Sequence, residues 1–230
     1  PLNLSVVPSS LVRVSGISEF GAYLTVNGFS VAIAANGTWS VVLALPDGMD
    51  VIQVAAVDQA GNLNYAVLVV LVDSDAPRIA LASPLPTLTN RSAVMISGWV
   101  NDSRMAALFI RYNQNFRQVT FNAATGYFST TLSALSDAVY VVTITAVDAA
   151  QHTTTLTVLV TVDTTPPTVT LTQPPDGLET NQSTVRLTGT VDDPNATVLV
   201  SDQMVRPDSA GRWTTTVALV QGANVIRIAA

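Results

Sequence analysis

The sequence predicts an all-β protein built of tandem antiparallel β-sandwiches, and three observations point there. Short runs of alternating apolar and polar residues recur between turn signals spaced roughly 8 to 12 residues apart, the pattern of a sandwich rather than of a helical fold. No stretch carries a 3.6-residue period. A proline-bearing connector also appears twice, ninety residues apart, as Val70-Leu71-Val72-Asp73-Ser74-Asp75-Ala76-Pro77 and as Val160-Thr161-Val162-Asp163-Thr164-Thr165-Pro166-Pro167-Thr168-Val169. Proline has no N–H for a sheet ladder and forces the residue before it to be extended, so each connector reads as a stiff joint between β-units.

Three units can be laid over one another, with expected boundaries at 1–73, 74–163 and 164–230. In each, a glycine closes an early alternating run: Gly16 after Val-Arg-Val-Ser, Gly98 after Met-Ile-Ser and Gly189 after Arg-Leu-Thr. Next comes a turn glycine with an aromatic two residues on, in Gly37-Thr38-Trp39, Gly126-Tyr127-Phe128 and Gly211-Arg212-Trp213. These aromatics are expected between the sheets. One strand then recurs three times, as Val51–Ala56, Val141–Ala146 and Val225–Ala230; the first two copies lead into Val-Asp and a further strand. The third unit stops before that strand and is expected to be truncated, with its last strand missing. Together with an opening at Pro1 rather than Met, this suggests a window from a longer protein. Turns are marked by Asn36-Gly37, Asp47-Gly48, Gly61-Asn62 and Asp192-Asp193-Pro194-Asn195, all of which favour tight reversals.

Composition excludes several functions. Charged residues make up 11% of the chain, against about 25% in an ordinary soluble domain. With a net charge of −6, the basic footprint of a nucleic-acid binder is missing. All ten basic residues are Arg; without Lys there is no P-loop, Schiff base or Lys–Asn/Asp isopeptide crosslink. Cysteine is absent, which removes disulfides, thiol catalysis and Cys-based zinc. The longest apolar run, Ala66 to Val72, is far short of the ~18 residues that a membrane span needs.

The motifs Gly-Thr-Val-Asp-Asp-Pro-Asn-Ala-Thr-Val at 189–198, Ala-Gly-Arg-Trp at 210–213 and Gln-Gly-Ala-Asn-Val-Ile at 221–226 carry a resemblance. Val-Asp-Gln-Ala-Gly-Asn at 57–62 and the Val-Asp-Thr-Thr-Pro-Pro connector extend it. The chain resembles the bacterial and archaeal immunoglobulin-like tandem repeats of large cell-surface proteins, of surface-layer and adhesin type. The resemblance covers the whole chain, strongly in the third unit and loosely in the second. It implies immunoglobulin-like sandwiches joined end to end and a secreted, extracellular setting. It leaves function open, because such repeats serve in stalks, surface layers and accessory modules of secreted enzymes.

Six Asn-x-Ser/Thr sequons, at Asn3, Asn36, Asn90, Asn101, Asn181 and Asn195, are candidate glycosylation sites. Asn36, Asn101 and Asn195 fall in predicted turns, where Asn is also at home for its backbone geometry. Attached sugar would supply the hydration that the missing charges do not. In an immunoglobulin-type sandwich the B–C and F–G loops lie where the chain enters. Asp73, Asp75, Asn101, Asp102 and Asp148 are therefore expected to converge at the first junction as oxygen ligands for calcium, with Asp163, Asp192 and Asp193 repeating the set at the second. The competing reading is that Asp is simply common at strand ends and turns.

Catalysis has little support. His152 is the only histidine and holds the turn position that Asn62 holds in the first unit; nothing frames a nucleophile for it. Asp192 and Asp193 are adjacent on a turn, and the only Glu are Glu19 and Glu179, so no carboxylate pair flanks a substrate. Ala66–Val72 reads as a last, edge strand apolar on both faces, which invites pairing unless it is covered. Its cover is expected from another chain of a lattice or filament, from another part of its own chain, or from two-sided burial within the sandwich.

The expected function is structural: a segment of an extracellular cell-surface protein, in a surface layer (S-layer), a filament or an adhesin stalk, carrying glycans and self-associating or contacting neighbouring chains. The alternative is a carbohydrate- or protein-binding accessory module of a secreted enzyme. That module would need an exposed aromatic row, for which Tyr23, Phe29, Tyr112, Phe116 and Phe121 are the contributors in sequence.

Overall fold

A computed structural model describes residues 1–230, all strand and loop with no helix. The first sandwich holds β1 (Ser5–Val7), β2 (Leu11–Ile17), β3 (Tyr23–Val26), β4 (Phe29–Val31), β5 (Thr38–Ala44), β6 (Gly48–Val57) and β7 (Leu63–Val72). A five-stranded sheet in the order β1-β7-β6-β3-β4 faces the β2-β5 pair.

The second sandwich comprises β8 (Arg78–Leu81), β9 (Leu88–Thr89), β10 (Val94–Asn101), β11 (Met105–Tyr112), β12 (Asn115–Gln118), β13 (Tyr127–Leu132), β14 (Ala138–Asp148) and β15 (Thr153–Val162). Its sheets run β12-β11-β14-β15-β9 and β13-β10-β8. The third contains β16 (Val169–Gln173), β17 (Thr184–Val191), β18 (Val198–Val200), β19 (Gln203–Val205), β20 (Arg212–Ala218) and β21 (Ile228–Ala229), in sheets β16-β17-β20 and β19-β18-β21.

Each sandwich encloses its own buried cluster. The first is built on Val14, Leu24, Val26, Trp39, Ile52 and Val70; the second on Ile96, Leu108, Ile110, Phe128, Val142 and Ile144; the third on Leu187, Val191, Val198, Val200 and Trp213. The chain divides into two compact units, Pro1–Asp163 and Thr164–Ala230. Both connectors, 73–77 and 163–168, lack regular structure.

The repeated glycines explain the register. Gly16 pairs with Trp39 across β2 and β5, Gly98 with Phe128 across β10 and β13, and Gly189 with Trp213 across β17 and β20. A methyl group on Gly16 would stand 2.7 Å from the Trp39 ring, closer than van der Waals contact allows. The absent side chain is what lets the aromatic turn inward.

Two details depart from the sequence expectation. The sheets are antiparallel except where β1 runs parallel to β7 and β9 parallel to β15. As a result β7 is not an edge strand over Val69–Val72, while Leu63–Leu68 has no strand paired on that side. The N-terminal segment covers its Val69–Val72 half, with Leu4 N–H donating to Val69 O (2.7 Å) and Val69 N–H donating to Asn3 Oδ1 (2.8 Å). The inner residues Val70 and Val72 are fully buried, but Tyr65 and Val67 on the outer face are 66% and 52% exposed, so burial within the sandwich does not account for both faces.

Candidate functional site

The joint between the first two sandwiches brings together three carboxylates from three elements. Asp73 opens the connector just after β7, Asp102 lies in the β10–β11 turn, and Asp148 ends β14. One oxygen from each falls within 4.8 Å of the others. Like charges this close repel, and two of the three are removed from water: Asp73 is 3% exposed and Asp148 fully buried. Burial, with Asp102 and Asp148 close by, pushes the Asp73 carboxyl above its ordinary range, and Arg104 and His152 only partly oppose this.

Each carboxylate is held differently. Asp102 Oδ1 accepts from Arg104 N–H (2.6 Å), which fixes the turn. Asp148 Oδ1 accepts from His152 N–H (2.9 Å), and its Oδ2 lies 2.9 Å from His152 Nδ1. The first sandwich repeats this turn with Asn62, whose backbone and side-chain N–H groups donate to the two oxygens of Asp58 at 2.8 and 2.7 Å. Asp73 is the exception. Its Oδ1 faces Arg104 Nη1 at 3.7 Å, while its Oδ2 is buried without a hydrogen-bond partner. A buried, unsatisfied carboxylate oxygen is costly unless a proton or a cation meets it.

Two side chains of the second sandwich reach back to the first. Arg104 Nη1 donates to Val72 O at a long 3.5 Å, and His152 Nε2 lies 3.0 Å from Pro8 O. A carbonyl oxygen only accepts, so a hydrogen bond to Pro8 O uses Nε2–H. An imidazolium, with an N–H on each side of the ring, would satisfy both contacts at once. The bond to Asp148 accordingly raises the His152 pKa above its ordinary value.

The donor set fits a hard cation in part. Three carboxylate oxygens and one unsatisfied buried lone pair are the chemistry that calcium takes, although it needs six to eight oxygens in all, and Arg104 and His152 already oppose part of the negative charge. Of the other residues expected here, Asp75 is exposed in the connector, and Asn101 is exposed at the end of β10, paired with Arg78. Asn101 is thus the last residue of a strand rather than part of a turn, because the β8 pairing carries the ladder to it. Asp192 Oδ1 accepts from Thr168 N–H (2.8 Å) and Asp193 Oδ1 from Asn195 N–H (2.8 Å), so both serve their own backbone. Asp163 lies exposed at the end of the other unit.

All six sequon asparagines are exposed. Asn36 Oδ1 accepts from both N–H and Oγ1–H of Thr38, closing that sequon on itself. Among the aromatics, Tyr23, Phe29 and Phe116 are exposed, Phe116 stacks on Phe109 with ring centroids 5.2 Å apart, and Tyr112 and Phe121 are half-buried. They make no single row. A pair that the sequence reading missed lies elsewhere: Trp99 and Tyr127, directly opposite on β10 and β13, meet edge to face at 5.8 Å and remain 45% and 41% exposed. The alternation of β10 was the available signal, since Trp99 follows Gly98 onto the outer face.

The chain is similar to several solved structures. They include fibronectin(III)-like modules of Clostridium thermocellum CbhA (14% identity, 70% of this chain and 90% of that one, TM-score 0.40). A 1.5-MDa bacterial ice-binding adhesin matches at 20% identity over 94% of this chain and 86% of that one (TM-score 0.34). The Escherichia coli adhesin FdeC matches at 15% identity over 96% and 82% (TM-score 0.41). No curated protein matches the chain in sequence. The sequence model for domain B of glucodextranase matches residues 15–74 and again 167–230, in the first and third sandwiches and over more than half of the chain. On that twofold match, the chain belongs to the glucodextranase domain B family.

Proposed function

We propose that this chain is a non-enzymatic structural segment of an extracellular cell-surface protein, of surface-layer, filament or adhesin-stalk type, in which immunoglobulin-like modules follow one another and the first two are held at a fixed joint. The observation that carries the reading is the first joint. Arg104 and His152 span from one sandwich to the carbonyls of the other, and Asp73, Asp102 and Asp148 gather beside them. A flexible tether needs no such contacts; a spacer that must hold direction does. Calcium at the three carboxylates would tighten the joint by meeting Asp73 Oδ2. The exposed sequons Asn3, Asn36, Asn90, Asn101, Asn181 and Asn195 would carry the glycan coat of a surface protein.

Thermal unfolding of the whole chain with calcium and with excess chelator tests the joint. At a hundredfold excess of calcium over its Kd, binding stabilises by about 2.7 kcal/mol, which raises the transition of the unit holding the joint by several degrees. Asp73→Asn abolishes the difference. Equal transitions in both buffers remove calcium from the reading. Electron microscopy of the native material then separates lattice, filament and stalk, and mass spectrometry of the native protein reads sequon occupancy.

A second reading, a carbohydrate-binding accessory module, is favoured by the Trp99–Tyr127 pair, since exposed aromatic faces stack on sugar rings. Saturable glycan binding lost on Trp99→Ala would establish it in place of the structural reading. A glycan array without hits would reject it.

A further inference from the structure

The outer face of the five-stranded sheet of the first sandwich is more apolar than its counterpart in the second, above all on β7. On β7, the outward residues are Leu63, Tyr65, Val67, Val69 and Leu71. The equivalent positions of β15, in the same place of the second sandwich, are Thr153, Thr155, Thr157, Leu159 and Thr161. The two hairpins superpose in register: Gln53 pairs with Val67 as Thr143 pairs with Thr157. The sandwich fold therefore does not require an apolar strand at this place, because the second sandwich builds the equivalent strand mostly with threonine, although Leu159 on it and Val139 and Val141 beside it are exposed. On β6 the apolar surface continues through Met49 and Val51, 73% and 59% exposed.

We propose that this face is a homodimer interface, on which a second copy of the chain packs sheet against sheet about a two-fold axis. Three observations favour a second copy over another occupant. The outward positions of β6, β7 and β3 carry no charged residue, so a charged partner surface would be desolvated without compensation, whereas an identical face would not. The polar residue at the middle of the face is Gln53, halfway along β6, the central strand of the five. Its amide carries both a donor and an acceptor and so complements its own symmetry mate. The size also fits. Two ten-residue strands with three shorter neighbours, at about 3.3 Å per residue and ~4.8 Å between strands, give a flat footprint near ~500 Å². The side chains standing on it raise the surface that can be covered towards the roughly 800 Å² per partner of a standard interface. Sheets packed in this way lie about 10 Å apart with strands within ~30° of one another.

This inference rests on the sheet face and not on the structural reading above, so either can fail alone. Sedimentation velocity of the full chain over a concentration series tests it, beside Val67→Arg and, as control, Thr157→Arg at the equivalent exposed position. The expected result is a concentration-dependent dimer whose dissociation constant rises roughly 100-fold or more in Val67→Arg, where a charge is buried unpaired, and is unchanged in Thr157→Arg. Because the chain has no cysteine, Gln53→Cys offers a single thiol at the axis. A short bis-maleimide should join two such chains efficiently, and Thr143→Cys chains poorly. A wild-type chain that stays monomeric to roughly 100 μM overturns the proposal. So does a dimer indifferent to Val67→Arg, or equal crosslinking of the two cysteine variants. A monomer that instead binds phosphatidylcholine vesicles, and loses them on Val67→Arg, overturns it in favour of a lipid surface.

Discussion

Gly189 sits beneath the Trp213 ring, and a β-carbon there would collide with both that ring and the Thr170 carbonyl. The Thr170 carbonyl belongs to the neighbouring strand and cannot swing away as a side-chain tip can. Gly189→Ala should therefore destabilise the third sandwich by about 1–3 kcal/mol, the cost of overpacking a filled core, read as a lower denaturation midpoint by fluorescence in a chain that keeps only Trp213. An unchanged midpoint would mean that β16 shifts freely. His152 supports a second prediction at this scale. Its raised pKa, caused first by Asp148, means that the folded chain holds the proton more tightly than the unfolded one. The resulting stability is fully present below the ordinary histidine pKa and is lost as pH rises through the folded value. An NMR titration in metal-free buffer, unambiguous because the chain has one histidine, should place the midpoint above 6.5 and lower it in Asp148→Asn. The glycine–aromatic pairs were legible in the sequence as a threefold spacing. The reason for the glycine was not, because it depends on the cross-strand register that seats Gly16 against Trp39 and Gly189 against Trp213.

At the scale of elements, alternation located the long strands well, but it could not say which were edges. Ala66–Val72 reads as a terminal strand because nothing in its own residues announces the parallel β1, only three residues long, that pairs with Val70–Val72. The carboxylate site was legible in part for a similar reason. Asp73, Asp102 and Asp148 follow from the loops that an immunoglobulin-like topology brings together, whereas the roles of Arg104 and His152 come from reach across the joint. Connector geometry adds a hold that sequence did not suggest: Asp47 Oδ1 accepts from Ser74 N–H and Oγ–H at 2.9 and 2.8 Å, and these bonds keep its carboxyl below the ordinary range. Arg104 and His152 should protect the connector by closing the joint beside it. The double variant Arg104→Ala/His152→Ala should expose the bond before Asp75 to the protease Asp-N, and cleavage there should quicken while each sandwich stays folded by near-UV circular dichroism. Cleavage no faster than in the wild type would show that the connector and the Asp47–Ser74 bonds hold the joint without them.

For the whole molecule, the three cores differ in size more than the chain lengths suggest. Sixteen residues are buried in the second cluster, ten in the first and five in the third. Burial of apolar surface is the main favourable term in folding, at about 25 cal/mol per Å², so stability should follow that order unless the joint couples neighbours. The contacts of Arg104 and His152 bridge the first two sandwiches within one compact unit, and the third forms a unit by itself. Unfolding of the full chain should therefore occur in two steps, with residues 164–230 opening first and residues 1–163 together at higher temperature. The protein carries its own reporters for this. Trp39, Trp99 and Trp213 fall one to a sandwich, and Trp39 and Trp213 are buried. Three variants that each keep one tryptophan, with Phe at the other two positions, should give an early transition for Trp213 and a shared later one for Trp39 and Trp99. Adding Arg104→Ala and His152→Ala should then split the shared transition, with Trp39 reporting the earlier part because its sandwich has the smaller core. A single transition in all three variants would mean that the two units are coupled as strongly as the first two sandwiches. A split already present without the joint substitutions would mean that Arg104 and His152 transmit no stability from one sandwich to the next.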